Sequence, residues 1–117
     1  MHNTNGSNWI RKSTRNAIYA RDGFRCAYCQ RAVKTTGRPF ERATLDHVDP
    51  AVQGSAPSAV VTACRGCNTL KGLMSLTAFA SYCADMGRAF DAARIVVQLA
   101  KPIDRAEGRR LAAQVAA

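Results

Sequence analysis

The sequence has no apolar run approaching the ~20 residues needed to cross a bilayer. Its start, MHNTNGSN, is polar and lacks the apolar stretch of a secretory leader. There is no low-complexity segment, and no internal repeat beyond one short cysteine motif. Acidic residues are few: eight Asp and Glu against 17 Lys and Arg. The first two absences argue against a membrane or secreted protein and make the cytoplasm the expected compartment. Thiols stay reduced there, so disulfides are not expected and the Asn-Gly-Ser sequon at Asn5 carries no weight.

What is present is a small, strongly basic chain. Its 117 residues suit one domain with a modest core, which a metal staple would help. The net charge of +9 is uneven. Residues 1–42 hold nine basic residues against Asp22 and Glu41, a surplus of seven; residues 43–117 hold eight against six, a surplus of two. Such an asymmetric surplus points to a polyanion, most often nucleic acid.

Five cysteines in a reducing compartment suggest a metal. Four form two C-x-x-C pairs, Cys26–Cys29 and Cys64–Cys67. Each pair puts two soft ligands on one tight turn, and two pairs complete a tetrahedral four-thiolate site suited to Zn2+. A redox dithiol would need only one pair and a thioredoxin-like context. Four protein ligands leave no open position, so this metal is expected to be structural. Cys83 is left over; its helical spacing with Phe79 and Met86 marks it as a buried apolar residue.

The pattern along the chain predicts α+β structure. Residues 1–12 are expected to be a flexible arm, pinned to the body by Trp9 and Ile18. Ser13 is expected to cap a short helix, TRNAIYARD, ending at Gly23. Arg11, Lys12, Arg15 and Arg21 make this region basic. After the first knuckle, turn signals at Thr36-Gly37 and Pro39 predict a β-ribbon whose second arm is ERATLDHV. AVVTA reads as a short extended piece, and CRGCNTLKG as a knuckle running into a helix that ends near Gly72. Leu76, Phe79, Ala80, Cys83 and Met86 form an amphipathic helical stripe. DAARIVVQLAK reads as a second helix, and Asp104 with Glu107 as the capping box of a third.

Thirty-four residues separate Cys29 from Cys64, against about 15–20 in ordinary zinc ribbons. The excess carries Asp46 and His47. Together with Asn68 they form a chemically sufficient set for phosphodiester hydrolysis. A histidine deprotonates water near neutral pH. A carboxylate and a carboxamide supply hard oxygens for a divalent cation that clamps the phosphate. On an ideal strand Asp46 and His47 point to opposite faces, so for both to serve one site the strand must twist or end there.

The pattern RDGFRCAYC … LDHVDP … VVTACRGCNTLKG, residues 21–72, resembles the HNH endonucleases of the zinc-knuckle type. The resemblance implies a ββα-metal finger at 13–74, a helical extension at 75–117 packing on or beside it, and DNA cleavage with little sequence preference. It implies His47 as general base, Asp46 and Asn68 as ligands of a catalytic Mg2+ or Mn2+, and Cys26, Cys29, Cys64 and Cys67 as structural Zn2+ ligands. Lys71 falls at a basic position common on the metal helix, where it is either a solvated residue or a phosphate contact. With Arg11, Lys12, Arg15 and Arg21 it makes up the expected nucleic-acid contacts. The partner is double-stranded DNA rather than a membrane, and the cytoplasm would be that of a bacterial or phage-infected cell. One departure stands out. The family's middle asparagine, which orients the base, is replaced by Ala59, leaving Gln53, Ser55 or Ser58 as substitutes. The alternative is an inactive, zinc-stabilised module that binds nucleic acid. The C-terminal helices are also candidates for docking a protein partner.

Overall fold

The structure is a computed structural model that describes residues 10–35, 42–52, 54 and 56–116. Trp9 and the Thr36-Gly37 and Pro39 turn lie outside the described residues.

The run VVTAC, Val60–Cys64, forms strand β2, and all five of its residues are buried. A strand apolar on both faces must be covered on both. Its antiparallel partner is β1, Ala43–His47, with Ala43 opposite Cys64 and His47 opposite Val60. The period of two along each strand sorts the hairpin into two faces. Leu45 and Val60 pack with Ile10, Ile18 and Tyr19, the last two on helix α1, Lys12–Arg21. Val61 and Ala63 join a second cluster with Tyr28, Val33, Phe79, Cys83 and Ile95.

The pairing differs from the expected ribbon. β1 takes β2 as its partner, while among the described residues the segment before it contributes only isolated bridges, Arg25–Ala32 and Lys34–Arg42. The reason is burial. β2 offers five buried positions, whereas in RAVK only Val33 is buried.

Helix α2, Arg65–Lys71, starts directly from β2, and Gly72 ends it with a φ of +52°, a conformation few side chains tolerate. Helix α3, Leu76–Asp85, is capped by Ser75 Oγ, which accepts from Ala78 N at 3.1 Å. Helix α4, Ala92–Ala100, is capped by Asp91 Oδ1, which accepts from Ala93 N at 3.0 Å. Helix α5, Arg105–Ala116, takes half of its expected capping box: Asp104 Oδ1 accepts from Glu107 N, but the Glu107 carboxylate turns to Arg110. Arg11, not Ser13, occupies the N-cap of α1, and no side chain caps it. Met86, the last residue of the expected stripe, lies beyond α3 and is exposed.

The fold is therefore α+β, with five helices and a two-stranded antiparallel sheet among the described residues. α3 and α4 supply Phe79, Cys83 and Ile95 to one face of the hairpin. α5 lies against α1, so the C-terminal helices return to both sides of the sheet. No described helix is long and apolar enough to cross a membrane.

Candidate functional site

The first knuckle is a turn closed by Gln30 N donating to Cys26 O at 2.8 Å. In each knuckle the second cysteine's amide donates to the first cysteine's sulfur: Cys29 N to Cys26 Sγ at 3.4 Å and Cys67 N to Cys64 Sγ at 3.3 Å. These bonds fix the first thiol of each pair over the turn. The four sulfurs lie within 4.8 Å of one another, and Cys29 Sγ and Cys64 Sγ are 3.9 Å apart. Zinc–sulfur bonds of about 2.3 Å in a tetrahedron require sulfurs about 3.8 Å apart. The cluster can therefore hold a metal such as zinc. The thiols act as one group. Hydrogen bonds from Cys26 and Cys67 hold Cys64 far below the usual thiol range, while the bond with Cys64 pushes Cys26 up to about 12. Cys67 is raised by its contacts with Cys26 and Cys64. A divalent cation would let all four act as thiolates.

Asn68 docks on the strand face of β1 that carries Thr44 and Asp46. Asn68, one residue past the last knuckle cysteine, donates through Nδ2 to Thr44 Oγ1 at 2.9 Å and to Leu45 O at 3.1 Å. Oδ1 is the carboxamide atom that could bind a cation. Asp46 is buried, and Tyr28 Oη donates to its Oδ2 at 2.5 Å. Lys71 Nζ lies 3.0 Å from the same oxygen and donates to His47 O at 3.1 Å. Burial raises the Asp46 pKa above the ordinary carboxylate value, opposed by the Tyr28 hydrogen bond and the Lys71 charge. Burial, followed by the Asp46 charge, raises Tyr28 so that it stays a protonated donor.

His47 lies across from Val60 at the end of β1, on the strand face opposite Asp46. The strand ends at His47. Its Nε2 is 2.7 Å from the carbonyl of Gly54. A carbonyl only accepts, so Nε2 carries the proton and the lone pair is on Nδ1. The His47 ring is thus held by a backbone carbonyl, which no side-chain pattern reveals. Gln53 and Ser55 lie outside the described residues, and Ser58 is exposed. Ala59 contributes its backbone: its carbonyl accepts from Val48 N at 3.1 Å, just past His47. Asp49 makes a turn, accepting from Ala51 N at 3.0 Å.

Two expected nucleic-acid contacts are internal instead. The Lys71 side chain is fully buried, since its ammonium neutralises Asp46. The Arg21 side chain is 1% exposed, because its guanidinium pairs with Asp22 and donates to Pro57 O and Val60 O, each at 2.8 Å. It ties the end of α1 to the start of β2. Asp22 is held in turn by Thr62 N at 2.8 Å and Gln98 Nε2 at 3.0 Å. Arg11 and Lys12 are exposed, and Arg15 is half-buried.

Sequence reasoning missed Tyr28 and the inward turn of Lys71. The second had a signal. Cys64, Cys67, Asn68 and Lys71 follow the helical period, so Lys71 shares the inner face with the knuckle.

Comparison with known proteins adds no relative: no family model matches the chain, and no curated protein or solved structure matches it significantly.

Proposed function

We propose that the chain is a divalent-metal-dependent endonuclease that hydrolyses phosphodiester bonds of double-stranded DNA with little sequence preference, and that β1, β2 and α2 are its ββα-metal finger. The observation that carries this reading is the docking of Asn68 onto β1. It ties a carboxamide from the start of α2 to Thr44 and Leu45, the two residues before Asp46 on the strand that ends at His47, and this supports the reading.

In this reading the four cysteines hold a structural Zn2+ that fixes the start of α2. Asp46 and Asn68 fit a hard cation such as Mg2+ or Mn2+, which needs only one or two protein oxygens and takes the rest from water and phosphate. Held by these two residues, it would supply charge neutralisation at the phosphate and at the leaving oxygen. His47, with Nε2–H held by Gly54, has its lone pair on Nδ1 to take a proton from the attacking water. Lys71 offsets the Asp46 charge, so a cation held there would need substrate phosphate oxygens for much of its binding. Arg11 and Lys12 supply salt-dependent phosphate contacts.

The test is supercoiled plasmid incubated with the purified protein in Mg2+, Mn2+ or EDTA. Nicking that requires the cation and disappears in His47→Ala supports the reading. Nicking that survives His47→Ala overturns the mechanism. A second reading, an inactive zinc-stabilised module that binds nucleic acid, is favoured by the Lys71–Asp46 pair and by Ala59. It expects DNA binding without nicking, and Ala59→Asn would not restore activity if the cation site is closed.

A further inference from the structure

We infer that Tyr28 is a positioning residue for the cation site: from inside the first knuckle, its hydroxyl orients the Asp46 carboxylate towards a divalent cation. The inference rests on the nuclease reading for the cation's task, but the geometry stands independently of it.

Tyr28 lies between Cys26 and Cys29, so knuckle ligation fixes its backbone. Its ring is held on several sides. It meets Phe79 edge-on, with centroids 5.3 Å apart and planes at 84°, and Phe90 with centroids 5.6 Å apart. Its carbonyl and that of Ala27 accept from one Arg94 nitrogen, at 3.4 and 3.2 Å. A ring clamped in this way places its hydroxyl with little freedom.

That hydroxyl meets Asp46 Oδ2 at 2.5 Å, the length of a charge-assisted O–H···O− bond. Lys71 Nζ meets the same oxygen. Two donors on one oxygen, arriving from two elements, fix the rotation of the carboxylate and leave ligation to Oδ1. A phenylalanine would fill the same space and pack against the same rings. The hydroxyl is therefore what the cluster requires of this position. Groups that hold a metal ligand in this way typically change metal affinity or activity by about 10–100-fold when removed.

The experiment compares the zinc-loaded protein with Tyr28→Phe and Asp46→Asn, using Mn2+ as probe. Mn2+ stands below zinc in affinity for such ligands and leaves the thiolate site undisturbed. Electron paramagnetic resonance reads Mn2+ binding directly, and plasmid nicking reads its use. The expected result for Tyr28→Phe is unchanged zinc content, Mn2+ binding weakened by about 10–100-fold, and a parallel rise in the Mn2+ needed for half-maximal nicking with little change at saturation. Asp46→Asn should abolish the same Mn2+ binding. Unchanged Mn2+ affinity in folded Tyr28→Phe overturns the inference, as does a wild-type protein that binds no Mn2+. If the wild type binds Mn2+ but does not nick, the nuclease reading fails and the resonance titration still decides the role of Tyr28. If Tyr28→Phe does not take up zinc, 3-fluorotyrosine at position 28 keeps the shape and strengthens the donor. It should shift Mn2+ affinity, and coincident titrations would overturn the inference.

Discussion

A buried charge pair separates two very different lysines. A lysine at the end of an exposed helix costs almost nothing to remove, within about 0.5 kcal/mol. Lys71 is not of that kind, because its ammonium is buried against Asp46. Removing one partner of a buried pair leaves an uncompensated charge and costs about 3–5 kcal/mol. Lys71→Ala should destabilise the fold by that much in urea unfolding, and pairing Lys71→Met with Asp46→Asn should recover part of the loss. A Lys71→Ala midpoint equal to wild type would show that the lysine is solvated after all. At this scale the sequence showed residue types but not their partners. Asp46, His47 and Asn68 were legible because their chemistry and their spacing from the knuckles constrained them. The inward positions of Arg21 and Lys71 were not, since a basic residue is solvated by default and only a tertiary partner, Asp22 or Asp46, makes it a buried cross-link.

Between elements, α5 packs tightly against α1 at Gly108. A Cβ on Gly108 would fall 2.1 Å from Ser13 O and 2.7 Å from Ala17 Cβ. Two effects compete in Gly108→Ala. Alanine favours the helix by about 1 kcal/mol. The clash is with backbone, which cannot rotate away, and overpacking costs about 1–3 kcal/mol. The clash should win, and thermal unfolding should show a lower Tm for Gly108→Ala. A raised Tm would mean that the helices separate without cost. This packing also enlarges the basic surface. Arg105 reaches Thr14 Oγ1 at 3.4 Å, and Arg105 and Arg109 are exposed on the helix that lies against α1. If nucleic acid binds along α1, Arg105→Ala with Arg109→Ala should flatten the salt dependence of DNA affinity, by about 0.9 in log–log slope for each phosphate no longer neutralised. An unchanged slope would confine the interface to α1. The individual helices were legible mainly from periodicity; of the expected N-terminal caps only Asp104 formed, while that of α1 fell on Arg11 instead of Ser13. The partnership of α5 with α1 was not, because a helix's apolar stripe states that it packs but not against what.

Across the whole molecule, the four cysteines join two segments far apart in sequence. Cys26 and Cys29 follow α1; Cys64 and Cys67 join β2 to α2. α4 is tied to the same point, since Arg94 donates to the carbonyls of Ala27 and Tyr28 within the first knuckle. A metal there would hold the hairpin, α2 and α4 against one another. The magnitudes favour dependence on it. Zinc binding to such sites is worth about 10–16 kcal/mol, while whole domains are stable by only about 5–15 kcal/mol. The chain stripped of zinc should therefore lose its helical circular dichroism, and Cys26→Ser should behave the same way at any Mg2+ concentration. Removing only Mg2+ should leave the spectrum unchanged and stop nicking alone. On the proposed reading the two metals would be separable: zinc loss would read out in folding, and loss of a cation from Asp46 and Asn68 in chemistry. A zinc-free chain that keeps its helices and still binds DNA would show that the apolar clusters on the two faces of β2 suffice, and that the knuckles serve only to place Asn68.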